Sequence, residues 1–119
     1  MALTVAEPLI QASLLGEALD NGPVAVFVAD EHMRYIAVNE YACKLLGYER
    51  EELLALKVTD VAGTTEDAPA AFQQLLLTGN LDGVTTIKRK DGVELPFTYR
   101  ARETAIAGMT LYVSVGWTP

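Results

Sequence analysis

The side chains able to do chemistry are few and far apart. Cys43 is the one cysteine and His32 the one histidine of the chain, so no internal disulfide and no His/Cys metal cluster can be assembled from them. Cys43 sits beside Leu45 and Leu46 in a helical pattern, where a small buried hydrophobe is expected rather than a nucleophile. His32 falls in a turn between two apolar runs, where exposure is expected rather than metal or proton sensing. Asp30 and Asp60, with Tyr41, Tyr99 and Tyr112, are the groups from which a carboxylate base and a phenolic proton donor would be built. Asp30 already has work as a turn residue accepting local backbone hydrogen bonds. No nucleophile–base pair, glycine-rich phosphate loop or metal spacing accompanies these residues, and no catalytic residue is assigned.

The elements that would position them alternate sharply. Pro8 precedes Leu9–Leu19, whose apolar spacing predicts an amphipathic helix, stopped by Asp20-Asn-Gly-Pro23. Val24–Asp30 and Tyr35–Asn39 read as two strands of a hairpin around Glu31-His-Met-Arg34. Asn39 is suited to cap a short helix and Gly47 to end it; Glu49–Leu56 predicts a further turn or two, held to the core by Leu53, Leu54 and Leu56. The pattern weakens over Val58–Thr65, and a longer helix is expected within Glu66–Thr78, with Pro69 in its first turn. From Leu81 the period changes to two: Val84–Arg89, Val93–Thr104 and Met109–Trp117 predict three antiparallel strands, with a bulge or late pairing at Pro96.

Strand, Asp-initiated turn, strand ending in Asn39, then Asn-x-x-Ala-x-x-x-Leu-Leu-Gly-Tyr-x-x-Glu-Glu-Leu-Leu through Leu54: this succession resembles a PAS domain over about Leu9 to Trp117. The resemblance implies an α+β fold, a five-stranded antiparallel sheet in the order 2-1-5-4-3 with helices over one face. It also implies a sensory or interaction module whose cavity holds a small ligand, and whose flanking helix often dimerises. Residues 1–20 are then a flanking helix and 21–119 the domain. An effector domain or protein is implied as partner, although Trp117-Thr-Pro119 stands where members often carry Asp-x-Thr.

Set against that family, several ligands are disfavoured. Haem-binding members take an axial histidine from the long helix, and Glu66–Thr78 has none; covalent-flavin members carry Gly-x-Asn-Cys-Arg-Phe-Leu-Gln where this chain has Leu56–Gly63. Members that bind citrate or dicarboxylates need convergent cations, whereas Arg100 and Arg102 share the outward phase with Thr98. Matched to the PAS pattern, the inward set is Phe27 and Ala29, Ile87, Phe97, Tyr99 and Ala101, and Tyr112 and Ser114, faced by Phe72 and Leu76 of the long helix. A neutral or long-chain apolar ligand such as a fatty acid is expected, oriented by Tyr99, Tyr112 or Ser114. Two other readings stay open: a closed aromatic core in a ligand-free dimerisation module, and a small apolar-pocket enzyme of ketosteroid isomerase-like type. Against the enzyme, such folds usually open with long helices, whereas two strands come early here.

Val24, Val26 and Val28, with Leu111, Val113, Val115 and Trp117, fill the other strand phase, and so apolar an outer face calls for a cover. The Leu9–Leu19 helix, of this chain or of a partner's, would supply it, and a homodimer is expected. With 119 residues one domain is expected, and the net charge of −7 argues against a nucleic-acid partner. The Lys88-Arg89-Lys90 cluster is expected to be a solvated hairpin tip. No apolar run approaches the roughly 20 residues of a membrane span and the N-terminus lacks a signal's basic flank, so a cytoplasmic location is expected.

Overall fold

The computed structural model of the protein describes residues 7–62 and 68–119. Helix α1 (Pro8–Asp20) is followed by strands β1 (Ala25–Ala29) and β2 (Tyr35–Val38). Three short helices come next, α2 (Glu40–Leu46), α3 (Arg50–Leu53) and α4 (Val58–Val61), and then α5 (Ala68–Thr78). Strands β3 (Asn80–Lys88), β4 (Glu94–Ile106) and β5 (Met109–Trp117) complete the chain. The sheet is antiparallel throughout in the order β2-β1-β5-β4-β3, which is the predicted fold class.

One buried polar residue organises the start of this fold. Asn39 Oδ1 accepts from Ala42 N, capping α2, and also from Val26 N of β1; its Nδ2 donates to Leu19 O at 2.6 Å and Val24 O at 2.8 Å. All the hydrogen-bonding capacity of the amide is therefore used, which is what makes its burial tolerable. Gly47 ends α2 with φ of 78°, a conformation that a side chain opposes.

Several expectations about this half need correction. Leu54 does not join the core: α3 stops at Leu53, which is fully buried, and the next residue is left on the solvent side. Val58–Val61, where the pattern gave no element, forms α4, with Asp60 Oδ2 accepting from Lys57 N across its first turn. The basic hairpin tip is not a free solvated turn. Arg89 Nη1 donates to Leu45 O, Lys90 N donates to Leu46 O at 2.9 Å, and Lys90 Nζ reaches Glu52 Oε2 at 2.6 Å. One cation, the Arg89 guanidinium, therefore docks on a C-terminal carbonyl of α2, the negative end of its dipole, while the Lys90 ammonium pairs with α3.

The second half follows the predicted period with longer strands. Pro69 is the second residue of α5, where a missing N–H does no harm; Glu66 lies outside the described residues. Gly79, with φ of 73°, turns directly into β3, which therefore starts at Asn80 rather than Val84. Pro96 causes no bulge: it pairs in register with Thr86, and β5 reaches only to Thr98 opposite β4, so the proline meets a strand on one side alone.

Helix α1 departs from an amphipathic cover. None of its residues is buried. Its C-terminal end meets the outer sheet face at a shallow groove that Gly16 and Leu19 share with Val26 and Val28, and Asp20 Oδ1 accepts from Glu40 N and Arg50 Nη2.

Candidate ligand cavity

The concave face encloses a cavity of about 240 Å³ between the sheet, α4 and α5. Alternation fixes who faces it: in β4 the odd-numbered residues Phe97, Tyr99 and Ala101 point in, and in β5 Tyr112 and Ser114 do so opposite them. Phe27 and Ala29 of β1 and Ile87 of β3 add their side chains from the flanks, and Phe72 covers them from α5.

One predicted lining residue is misplaced. Leu76 is 46 % exposed, whereas Leu75 is buried and lines the cavity. Residues three and four positions after Phe72 both lie near its face of the helix, and consecutive helical positions point about 100° apart. The helix turns the nearer of the two inward. Met33, Tyr35, Val58, Val61 and Leu81 also line the cavity without having been foreseen. For Tyr35 and Leu81 the signal was present: Tyr35 is the cross-strand partner of Ala29 and Leu81 of Ala101, so each shares an inward phase. Met33 carried no such signal. It sits in the β1–β2 loop with φ of 61°, its backbone tied to Asp30 O and Val58 N.

The aromatic wall has a specific geometry. Phe27 meets Phe97 edge to face at 6.2 Å between ring centroids, and Phe97 and Tyr99, two apart on one strand, hold their rings within 10° of parallel at 6.5 Å. Gly116 makes this arrangement feasible: a Cβ there would run into the Phe97 ring. A glycine inside a strand marks such a close approach, a signal the sequence carried unread.

No lining residue is ionisable apart from the tyrosines, among the described residues. Burial pushes the phenols of Tyr35, Tyr99 and Tyr112 up, with Asp82 reinforcing the effect at Tyr99 and Glu103 at Tyr112. They stay neutral near pH 7 and can donate or accept a hydrogen bond. The carboxylates considered for base chemistry are elsewhere. Asp30 accepts from His32 N, Arg34 N and Arg34 Nε at 2.8–3.0 Å; burial raises its pKa, but these bonds prevail and hold the carboxyl below its ordinary value. Asp60 is exposed at its helix start, and neither lines the cavity. Cys43 is buried in the cluster under α2, where desolvation raises its pKa against the opposing influence of Arg50, and His32 is exposed. The arrangement can hold and orient an apolar body; among the described residues it lines the cavity with no carboxylate, histidine or thiol.

On the opposite face Val26 pairs with Val115 and Val28 with Val113, a continuous apolar stripe beside Trp117. Arg102, on the same face, is held by Asp82. Among the described residues no helix is long and apolar enough to cross a membrane, and no group of three or more His, Cys, Asp or Glu could hold a metal ion.

A family model described as a PAS domain matches residues 23–113. Solved structures share the fold. A PAS domain from a two-component sensor histidine kinase aligns with a TM-score of 0.82 at 14 % identity, covering 95 % of this chain and 100 % of that one. The PAS domain of an HTR-like protein from Haloarcula marismortui gives 0.81 at 20 %, with 92 % of each chain covered. A domain of a sensory box sensor histidine kinase/response regulator from Geobacter sulfurreducens gives 0.78 at 19 %, covering 94 % and 97 %. No curated protein sequence matches the chain.

Proposed function

The chain belongs to the PAS domain family, and on that premise we propose that it is a sensory and interaction domain of a signalling protein, binding a small apolar molecule in the cavity between sheet and α5. The observation that carries the reading is the cavity itself. About 240 Å³ of space is walled by aromatic and aliphatic side chains, with Tyr99, Tyr112 and Ser114 as neutral polar handles. In this reading residues 21–119 form the sensing unit, residues 1–20 flank it, and the output belongs to an effector domain or protein. Similarity to domains of sensor kinases supports the signalling role. Haem, covalent flavin and metal are not part of the proposal, and neither is catalysis.

Native mass spectrometry of protein purified from cells, with a visible absorption spectrum, tests this. A small-molecule mass lost on denaturation, without a haem or flavin band, is the expected result. A haem or flavin band overturns the apolar ligand; no mass and no binding of any apolar probe returns the cavity to a packing defect.

A homodimer is the second element, favoured by α1: Leu9 is 83 % and Leu15 61 % exposed on a helix none of whose residues is buried in its own chain. Pairing with the outer stripe of a second copy covers both apolar surfaces. Sedimentation of the intact chain is expected to show a dimer that L9E/L15E reduces to monomer. A strictly monomeric intact chain at high concentration refutes it.

A further inference from the structure

One end of the cavity is bordered by carboxylates that lie just outside its lining. Tyr112 lines the cavity with its ring, and its hydroxyl donates to Glu103 Oε1 at 3.4 Å. This follows from register: Glu103 is the β4 partner of Tyr112, so the two side chains share the concave face, and Ala29, the β1 partner of Tyr112, leads on into the loop that bears Glu31. Both carboxylates are exposed, and both act on the Tyr112 phenol, which is raised by burial first, then by the charge of Glu103, and also by that of Glu31. In the same loop Arg34 is engaged by Asp30 at 3.0 Å. All three phenylalanines and three of the five tyrosines of the chain line the cavity, and among the described residues no Lys, Arg, His, Asp or Glu does.

We propose that the cavity selects a ligand with an apolar or aromatic body and a cationic end, an organic ammonium whose charge lies beside Glu103 and Glu31, and that it rejects carboxylates. The inference rests on the ligand reading above and narrows it. Aromatic faces attract an organic cation and repel an anion through the ring quadrupole. The two carboxylates add a Coulomb bias of the same sign, and the net charge of −7 steers in that direction too. A fatty acid, one of the ligands the sequence suggested, would bring its carboxylate either to an uncompensated apolar wall or beside Glu103 and Glu31. An ammonium beside those exposed carboxylates keeps part of its hydration and gains a partner.

The test is a matched series with one body and three ends: 4-phenylbutylammonium, 4-phenylbutan-1-ol and 4-phenylbutanoate, titrated calorimetrically into the intact chain at pH 7 and low salt. The ammonium is expected to bind at least about tenfold more tightly than the carboxylate, a bias that shrinks as salt is added. Replacing both carboxylates, E31Q/E103Q, is expected to lower the ratio of ammonium to alcohol affinity by about fivefold. Carboxylate binding as tight as ammonium binding, or an unchanged ratio in the double variant, overturns the charge selection while leaving an apolar-ligand domain in place. Failure of all three probes to bind overturns both readings.

Discussion

At one end of the concave face α2 and α3 press Leu46 and Leu53 into the sheet with no residual exposure, and the β3–β4 hairpin is locked over them through Arg89 and Lys90. At the other end α5 contributes Leu75 as the one buried residue among its described side chains, against a small cluster with Leu81, Ala101 and Tyr112. Tyr99 packs against both clusters, and the cavity lies between them. The first end is built to be one structure: its helices are capped, its buried amide is satisfied and its loops are tied by backbone bonds. The second is a single helix laid over a space. Elements that admit ligands are generally drawn from the less tightly packed part of a fold, and the proposed ligand would enter at the second end of this sheet face.

Truncation should separate the two ends most strongly. Leu46→Ala is expected to cost about 4 kcal/mol, since the closed site cannot collapse into the hole, and Leu75→Ala about 2 kcal/mol because its side chain already borders a void. Urea denaturation of the two variants measures both, and equal costs would erase the distinction. Removing the junction of α1, β1 and α2 comes next. Asn39→Ala leaves the donors of Val26 and Ala42 and the carbonyls of Leu19 and Val24 to find other partners, at an expected cost of about 3 kcal/mol. Faster amide exchange at Val26 and Ala42 would accompany it.

Adding volume sharpens the comparison in the opposite sense. Ala42, fully buried under α2, and Ala29, buried but lining the cavity, have the same side chain in different surroundings. Ala42→Leu is expected to destabilise by about 2–3 kcal/mol through overpacking, and Ala29→Leu by less than about 1 kcal/mol while blocking ligand uptake; thermal melts with and without 4-phenylbutan-1-ol read both effects.

The smallest effect is a titration. Lys90 hydrogen-bonds the Glu52 carboxyl and holds it below its ordinary 4.5. A carboxyl with a depressed folded pKa stabilises above its unfolded value, and that contribution is lost as pH falls through the folded value. The hairpin lock should therefore loosen only below about pH 4.5, seen as a shift of the Lys90 amide resonance, and Glu52→Gln should flatten that response.

Much of this was legible in the residues, for reasons that differ by element. Asn39 and Gly47 announced α2 because a cap and a left-handed stop are local requirements. The inward phase of β4 and β5 followed from alternation, since a strand cannot change faces without a bulge. The sequence was less readable where neighbours decide. Leu75 and Leu76 are equally apolar and only the position of the sheet chooses between them. Arg89 and Lys90 resemble any solvated turn until α2 is placed beneath them. Met33 enters the cavity through a loop conformation that no periodicity encodes, and Gly116 is explained only once the Phe97 ring and the Thr98 carbonyl are placed beside it.

The central claim, an open cavity under α5 beside a closed core under α2, is tested most directly by methyl-resolved NMR during titration with 4-phenylbutan-1-ol. The account predicts saturable shifts at Leu75, Leu81 and Ile87, which border the cavity, with Leu46 and the outer-face Val113 unmoved. Shifts centred on Val26 and Val113, or no saturable shift at Leu75 and Leu81, would contradict it.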